Sequence, residues 1–418
     1  MMSDKSISRR DFFKKTAQYG LVLGGTSFAL SNPELAKPFA SLKTKSILDS
    51  IVEEAILQNA PLARYWVSTS TKNAGCADCH TQQEVKFSTK HDHNEETIRC
   101  LLCAQRCFIK SGERGKCRAR MNINGELRSL VYGHPAAIHI DPIEKKPFYH
   151  FLPGSQAYSL ATAGCPLSCK FCQNWQISQS KPEDFSVEYT SPESIVGSSV
   201  LQNTPVIAFT YNEPTVFTEY LLDIAEYARG KKIRSVLVSC GFMNEAPLTD
   251  MCNALSAIKV DLKGYSEDFY RNVCNAELKP VLSTIRQISR SKVHLEIVNL
   301  VVPTLNDSEK MLNNLTDWIA GEIGFDVPIH FTRFHPDYKL ANLPSTPVST
   351  LEYARDTAMK KGIHFVYVGN VPGHPGNNTY CPYCGKEIIK RSNFFVLEKK
   401  MTGGRCDFCK HLIAGVWQ

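Results

Sequence analysis

From about residue 155 the chain alternates short apolar runs, rich in β-branched residues, with longer stretches whose apolar positions recur at helical spacing. The short runs are AYSLATAG, VIAFTYN, SVLVSCG, AIKVDLK, HLEIVNLVV, PIHFTRF and HFVYVGN; TVFTEYLLDIAEYARGK and EKMLNNLTDWIAGEI are among the helical stretches between them. Strands with so few polar positions, each followed by a helix, predict a parallel sheet covered on both faces. Six or seven such units predict an α/β fold built on a full or partial (β/α) barrel, with a doubly wound sheet as the alternative order. In a barrel the residues just after each strand line the mouth, where chemistry is placed.

The chain before residue 150 reads differently. Residues 70–150 are rich in Cys, His and Gly with little periodicity, the texture of a module folded around metal rather than around an apolar core. Residues 45–60 have the pattern of a short helix. At the amino terminus SISRRDFFKK precedes YGLVLGGTSFAL, an apolar run too short to anchor in a bilayer. Ser8 to Lys14, with Arg9 and Arg10 at its centre, resembles the twin-arginine export consensus, which implies a periplasmic or envelope location; a basic start with no targeting role, and a cytoplasmic protein, is the alternative. The expected division is a signal and linker over 1–40, a Cys/His-rich metal module over 41–150, the barrel over 151–371 and a tail over 372–418.

Composition narrows the function classes. The 418 residues carry 48 basic and 41 acidic side chains, a net charge of +7 with no basic tract beyond the first residues, which argues against nucleic acid. The sixteen cysteines say more, since all but Cys240, Cys252 and Cys274 fall into four clusters. In a long chain such clusters read as metal ligands rather than disulfides. Cys252 and Cys274 read as small buried hydrophobes, and Cys240 follows a predicted strand near the mouth.

Cys381 and Cys384, then Cys406 and Cys409, form two CxxC knuckles with 21 residues between them, a zinc-ribbon-like site of four thiolates. The same four sulfurs also suit a single rubredoxin-like iron. The tail should shelter Phe394, Phe395 and Val396 and cap one end of the barrel. Cys100, Cys103, Cys107 and Cys117 supply four ligands for either zinc or a second [4Fe–4S] cluster. CADCH, Cys76 to His80, matches the attachment pattern of haem c; the competing reading is a zinc site of Cys76 and Cys79 with His91 or His93.

The fourth cluster, CPLSCKFC, has three cysteines, Cys165, Cys169 and Cys172, directly after the first predicted barrel strand. Closed zinc and protein-saturated [4Fe–4S] sites take four protein ligands, so three thiolates leave one position open for a reacting molecule. The CxxxCxFC pattern, with Phe171 before the last cysteine, resembles the signature of radical S-adenosylmethionine (SAM) enzymes. More widely, residues 97–418, and DPIEKKPFYHFLPGS above all, resemble the radical SAM protein of the AmmeMemoRadiSam system, related to pyruvate formate-lyase activating enzymes. The export signal and residues 70–95 depart from that pattern.

The resemblance implies that Cys165, Cys169 and Cys172 hold a [4Fe–4S] cluster whose fourth iron binds SAM, with an electron donor of flavodoxin or ferredoxin type. It implies reductive cleavage of SAM to methionine and a 5′-deoxyadenosyl radical, and Memo-type and AMMECR-type partner proteins. Asn212 and Glu213 in TYNEPT take the place of the family's stretch that binds the SAM amino group; Asp261 and Lys263 in VDLKG resemble an Asp-x-Lys pair facing SAM. Asn299 and His335 stand at further strand ends. The bland alternatives are a Glu213 that only starts a helix, an Asp261–Lys263 surface ion pair and a structural His335. For the whole chain the alternative to an enzyme is a non-catalytic envelope metal or electron-transfer protein.

Overall fold

The structure, a computed structural model, describes residues 54, 56–58, 60–68, 96–185 and 188–418. Its centre is an eight-stranded sheet: β1 (Ala137–Pro142), β2 (Gln156–Ala161), β3 (Val206–Phe209), β4 (Arg234–Ser239), β5 (Ala257–Asp261), β6 (His294–Val301), β7 (Ile329–Arg333) and β8 (Val366–Gly369), in strict chain order. β1 runs antiparallel to β2, and every later neighbour is parallel. Sequential order excludes the doubly wound alternative, in which strand order reverses at a switch point. β1 and β8 are the two edges, so the barrel is partial.

The longer helices between β2 and β8 are α1 (Pro192–Leu201), α2 (Thr218–Gly230), α3 (Glu245–Ala254), α4 (Leu278–Ser289), α5 (Glu309–Trp318) and α6 (Val348–Lys360). Their apolar positions dictate which side faces the sheet: α4 buries Leu278, Val281, Ile285 and Ile288, one stripe at helical spacing. Starts are marked by caps, as where Ser308 accepts from the Met311 amide at 3.3 Å ahead of α5.

The strands divide their residues by alternation. Leu160, Ile207, Phe209, Leu237, Ile258 and Val260 pack with the helices. The intervening Ala157, Val206, Ala208, Val236 and Ala257 are smaller and receive Ile143, Phe148 and Phe151 from the quoted DPIEKKPFYHF segment. These partners stand near the start of their strands, so the segment plugs the amino-terminal end of the sheet. The boundary expected at residue 150 therefore moves: β1 and the plug, residues 137–151, belong to the sheet. β1 gave no apolar signal because it is an edge, with Ile138, His139 and Ile140 all exposed.

A buried polar knot holds the plug. Glu296, on β6, accepts the Tyr149 amide at 2.9 Å, the His150 amide at 2.8 Å, His330 at 2.7 Å and His294 at 3.1 Å. Burial raises its carboxyl, yet the bonds from His294 and His330 hold it well below the usual carboxylate range. Arg391 stacks 4.1 Å from the Tyr149 ring and donates to the Tyr149 carbonyl at 2.9 Å.

Arg391 belongs to the tail, a three-stranded antiparallel sheet (Thr379–Tyr380, Glu387–Ser392, Phe395–Lys399) followed by a two-stranded one (Met401–Thr402, Arg405–Cys406). Its knuckles are twins: Gly385 donates to the Cys381 carbonyl at 2.9 Å as Lys410 does to Cys406 at 2.8 Å, both with left-handed φ, 71° and 65°. The expected shelter for Phe395 is absent, because its strand is an open edge and it is 60% exposed.

Before the sheet, Trp66–Ser68, Ile98–Cys100 and Phe108–Ile109 form a small antiparallel sheet. Arg120–Ile123 and Glu126–Ser129 form a hairpin across Asn124 and Gly125, whose φ values of 53° and 85° suit a tight two-residue turn. Among the described residues no helix is long and apolar enough to cross a membrane.

Candidate metal and cofactor site

The three-cysteine loop leaves the carboxyl end of β2. Gly164, at φ 96°, packs so closely on the Cys117 carbonyl that no side chain would fit there. Its amide closes the loop on the Ile177 carbonyl at 2.8 Å. Ser168 and Lys170 amides then bond the carbonyls of Cys274 and Val273 at 3.1 and 3.0 Å, pinning the loop to the segment after β5. Cys169 is buried; Cys165 and Cys172 are partly so. Cys172 Sγ lies 3.7 Å from Ser178 Oγ. Burial raises the Cys165 and Cys172 thiols, whereas a hydrogen bond with Cys274 holds Cys169 below the ordinary thiol range, with Lys263 acting in the same direction.

Asn212 donates to the Gly164 carbonyl at 2.8 Å, directly before Cys165, and its Oδ1 is buried without a partner. Glu213 both caps and reaches inward. Its Oε1 accepts from the Thr215 amide and hydroxyl at 3.2 and 2.6 Å and from Ser239 at 2.7 Å, and its Oε2 accepts from the Cys240 amide at 2.7 Å. Cys240 thus enters as a backbone donor to Glu213, its buried thiol pushed well above the ordinary range by desolvation.

Asp261 pairs with Lys263 at 3.4 Å and also with Lys259, all three on one face at i, i+2 and i+4. Lys259 was missed from the sequence, although a lysine inside AIKVDLK, an otherwise apolar strand, is itself a signal. Asn299 donates to the Leu262 carbonyl at 2.7 Å between those residues and leaves Oδ1 buried and unpartnered. His335 is exposed, its Nδ1 3.2 Å from the Pro336 carbonyl. Cys274 is fully buried, as expected of a small hydrophobe, but its thiol also meets Cys169. Cys252 is partly buried against the helical core.

The tail cysteines converge on one point: Cys381, Cys384, Cys406 and Cys409 place all four sulfurs within 4.8 Å of one another, with Cys381–Cys409 at 3.5 Å and Cys384–Cys406 at 3.8 Å. Four sulfurs at about 2.3 Å from a tetrahedral ion stand about 3.8 Å apart, so this set fits a single metal ion. Among the described residues no other group of three or more His, Cys, Asp or Glu meets that limit. The three loop cysteines would offer one thiolate to each of three irons of a cluster.

Cys100, Cys103, Cys107 and Cys117 are brought together beside the loop as free thiols. Arg9 and Arg10, Cys76, Cys79 and His80, and His91 and His93 lie outside the described residues.

Residues 159–315 match the radical SAM superfamily. Over 329 residues the chain is 42% identical to an uncharacterized protein of Methanocaldococcus jannaschii, covering 78% of this chain and 97% of that one. It is 20% identical over 200 residues to the pyruvate formate-lyase-activating enzyme of Clostridium pasteurianum, covering 43% of this chain and 80% of that enzyme. Among solved structures, a domain of pyruvate-formate lyase-activating enzyme from Bacteroides vulgatus superposes with a TM-score of 0.36 at 15% identity, covering 39% of this chain and 98% of that one.

Proposed function

We propose that this chain, which belongs to the radical SAM superfamily, holds a [4Fe–4S] cluster on Cys165, Cys169 and Cys172 and binds SAM at the position those thiolates leave open. The observation that carries the reading is the loop itself: three free thiols directly after β2, with the buried and unpartnered Oδ1 of Asn212 beside them. When bound, the group supplies the electron that cleaves SAM to methionine and a 5′-deoxyadenosyl radical able to abstract hydrogen.

The chain's own residues then have defined tasks. The orphaned Oδ1 of Asn212 and the carboxylate of Glu213 accept from the SAM ammonium, a charge-assisted contact. The Lys259–Asp261–Lys263 row fixes charge on the inner face, and Asn299 holds the Leu262 carbonyl between Asp261 and Lys263. Burial of these groups keeps water from the site. We further assign the chain to the AmmeMemoRadiSam system, with hydrogen abstraction of the activating-enzyme kind from a protein or small molecule, and with Memo-type and AMMECR-type partners. The plug segment DPIEKKPFYHFLPGS supports that assignment.

The test is anaerobic reconstitution. A [4Fe–4S] spectrum perturbed by added SAM, with 5′-deoxyadenosine formed under reduction, is the expected result. Changing Cys165, Cys169 and Cys172 together to Ala should abolish the product. A wild-type protein that loads the cluster yet neither binds nor cleaves SAM would turn the reading to a non-catalytic electron carrier.

A further inference from the structure

We propose that Cys100, Cys103, Cys107 and Cys117 hold a second [4Fe–4S] cluster, which passes electrons to the centre at Cys165, Cys169 and Cys172. The relay role rests on the reading of that centre given above; the metal assignment does not.

Three observations carry it. All four residues are free thiols, and Cys100, Cys103 and Cys117 are buried while Cys107 is only partly so. The Cys107 and Cys117 sulfurs face a shared space at Gly115: a Cβ placed there would stand 3.8 Å from Cys117 Sγ and 3.9 Å from Cys107 Sγ, so the glycine keeps that space open. Cys107 Sγ already accepts the Lys116 amide at 3.5 Å, the backbone donation that steadies a thiolate.

Placement gives the site its purpose. The Cys117 carbonyl packs directly on Gly164, one residue before Cys165. Gln105, between Cys103 and Cys107, donates to the Pro166 carbonyl at 3.0 Å, one residue after it. Arg118 donates to the Ser178 carbonyl at 2.8 Å, and Ser178 touches Cys172 Sγ. Cys103 itself bridges to Met243 beyond β4. The two cysteine sets are thus back to back through single residues, whereas a zinc there would only fold the module. One electron enters from a low-potential protein donor of the ferredoxin or flavodoxin class, reduces this cluster, and leaves to the neighbouring centre, which restores the starting state.

Acid-labile sulfide and iron decide the matter in the full chain, because a single ion in the tail or a haem brings no sulfide. Reconstituted wild type should contain about eight sulfides per chain, two clusters' worth. The Cys165→Ala, Cys169→Ala, Cys172→Ala variant should retain about four, with the remaining spectrum indifferent to SAM. Cys103→Ser with Cys107→Ser should also retain about four, now SAM-responsive, and should form 5′-deoxyadenosine with dithionite but not with a protein donor. About four sulfides in wild type and none in the triple variant, with zinc bound by the latter, would overturn the proposal and leave the barrel reading intact. So would unimpaired turnover of the double variant with a protein donor.

Discussion

His150 shows how much a single buried ring can fix. Its Nδ1 donates to the Ala414 carbonyl at 2.6 Å, so Nε2 is the acceptor for the Tyr367 hydroxyl, also at 2.6 Å, and the neutral tautomer is the one the fold selects. Burial pushes its pKa down to about 3. The folded value lies below the unfolded one, so the protein is at no disadvantage above the ordinary histidine range and loses stability as pH falls through it toward 3. Denaturant unfolding should show stability dropping with falling acid pH by up to about 1.4 kcal/mol per unit from this residue. His150→Gln should flatten that slope by about one proton, and an unchanged slope would show that the ring is protonated in the fold. Candidate ligands such as Cys165 stood out because thiols are rare and their spacing is local. His150 and Glu296 were not, since the amides that Glu296 accepts come from residues 146 and 147 positions away.

At the scale of elements, the seven apolar runs announced seven strands because both faces of each strand are covered, which leaves a continuous signal. β1 and the plug escaped for the opposite reason. An edge strand with exposed isoleucines carries no alternation, and Phe148 and Phe151 find their partners on β2 to β5 rather than nearby in the chain. The plug stabilises by filling: Phe148 is fully buried against small strand residues that cannot close over a gap. Phe148→Ala should therefore cost about 3–5 kcal/mol, read as a lowered denaturation midpoint with a similar slope. A loss under about 1 kcal/mol would mean the segment is not a structural part of the sheet.

Across the whole molecule, the tail and the cysteine loop stand at opposite ends of the strands, and this separates what a metal at each would do. The loop follows the carboxyl end of β2, while the tail clasps the plug: Thr379 bonds Tyr367 at 2.9 Å, Asn377 bonds the Tyr149 hydroxyl, and Phe151 bridges to Val416. A single ion on Cys381, Cys384, Cys406 and Cys409 has no open position, so its contribution is to folding. Cys406→Ser with Cys409→Ser should remove one metal ion per chain and lower Tm, because the tail can no longer hold Arg391 against Tyr149 and the plug loosens with it. Phe395 is exposed in the folded tail, so the loss should appear in Tm rather than through newly bared aromatic surface. Cluster content in the barrel, and SAM cleavage per folded molecule, should stay as in wild type. If the soluble variant instead kept its Tm and lost SAM cleavage at full cluster loading, the tail would have to act on the mouth through the whole length of the sheet, and its purely structural role would be refuted.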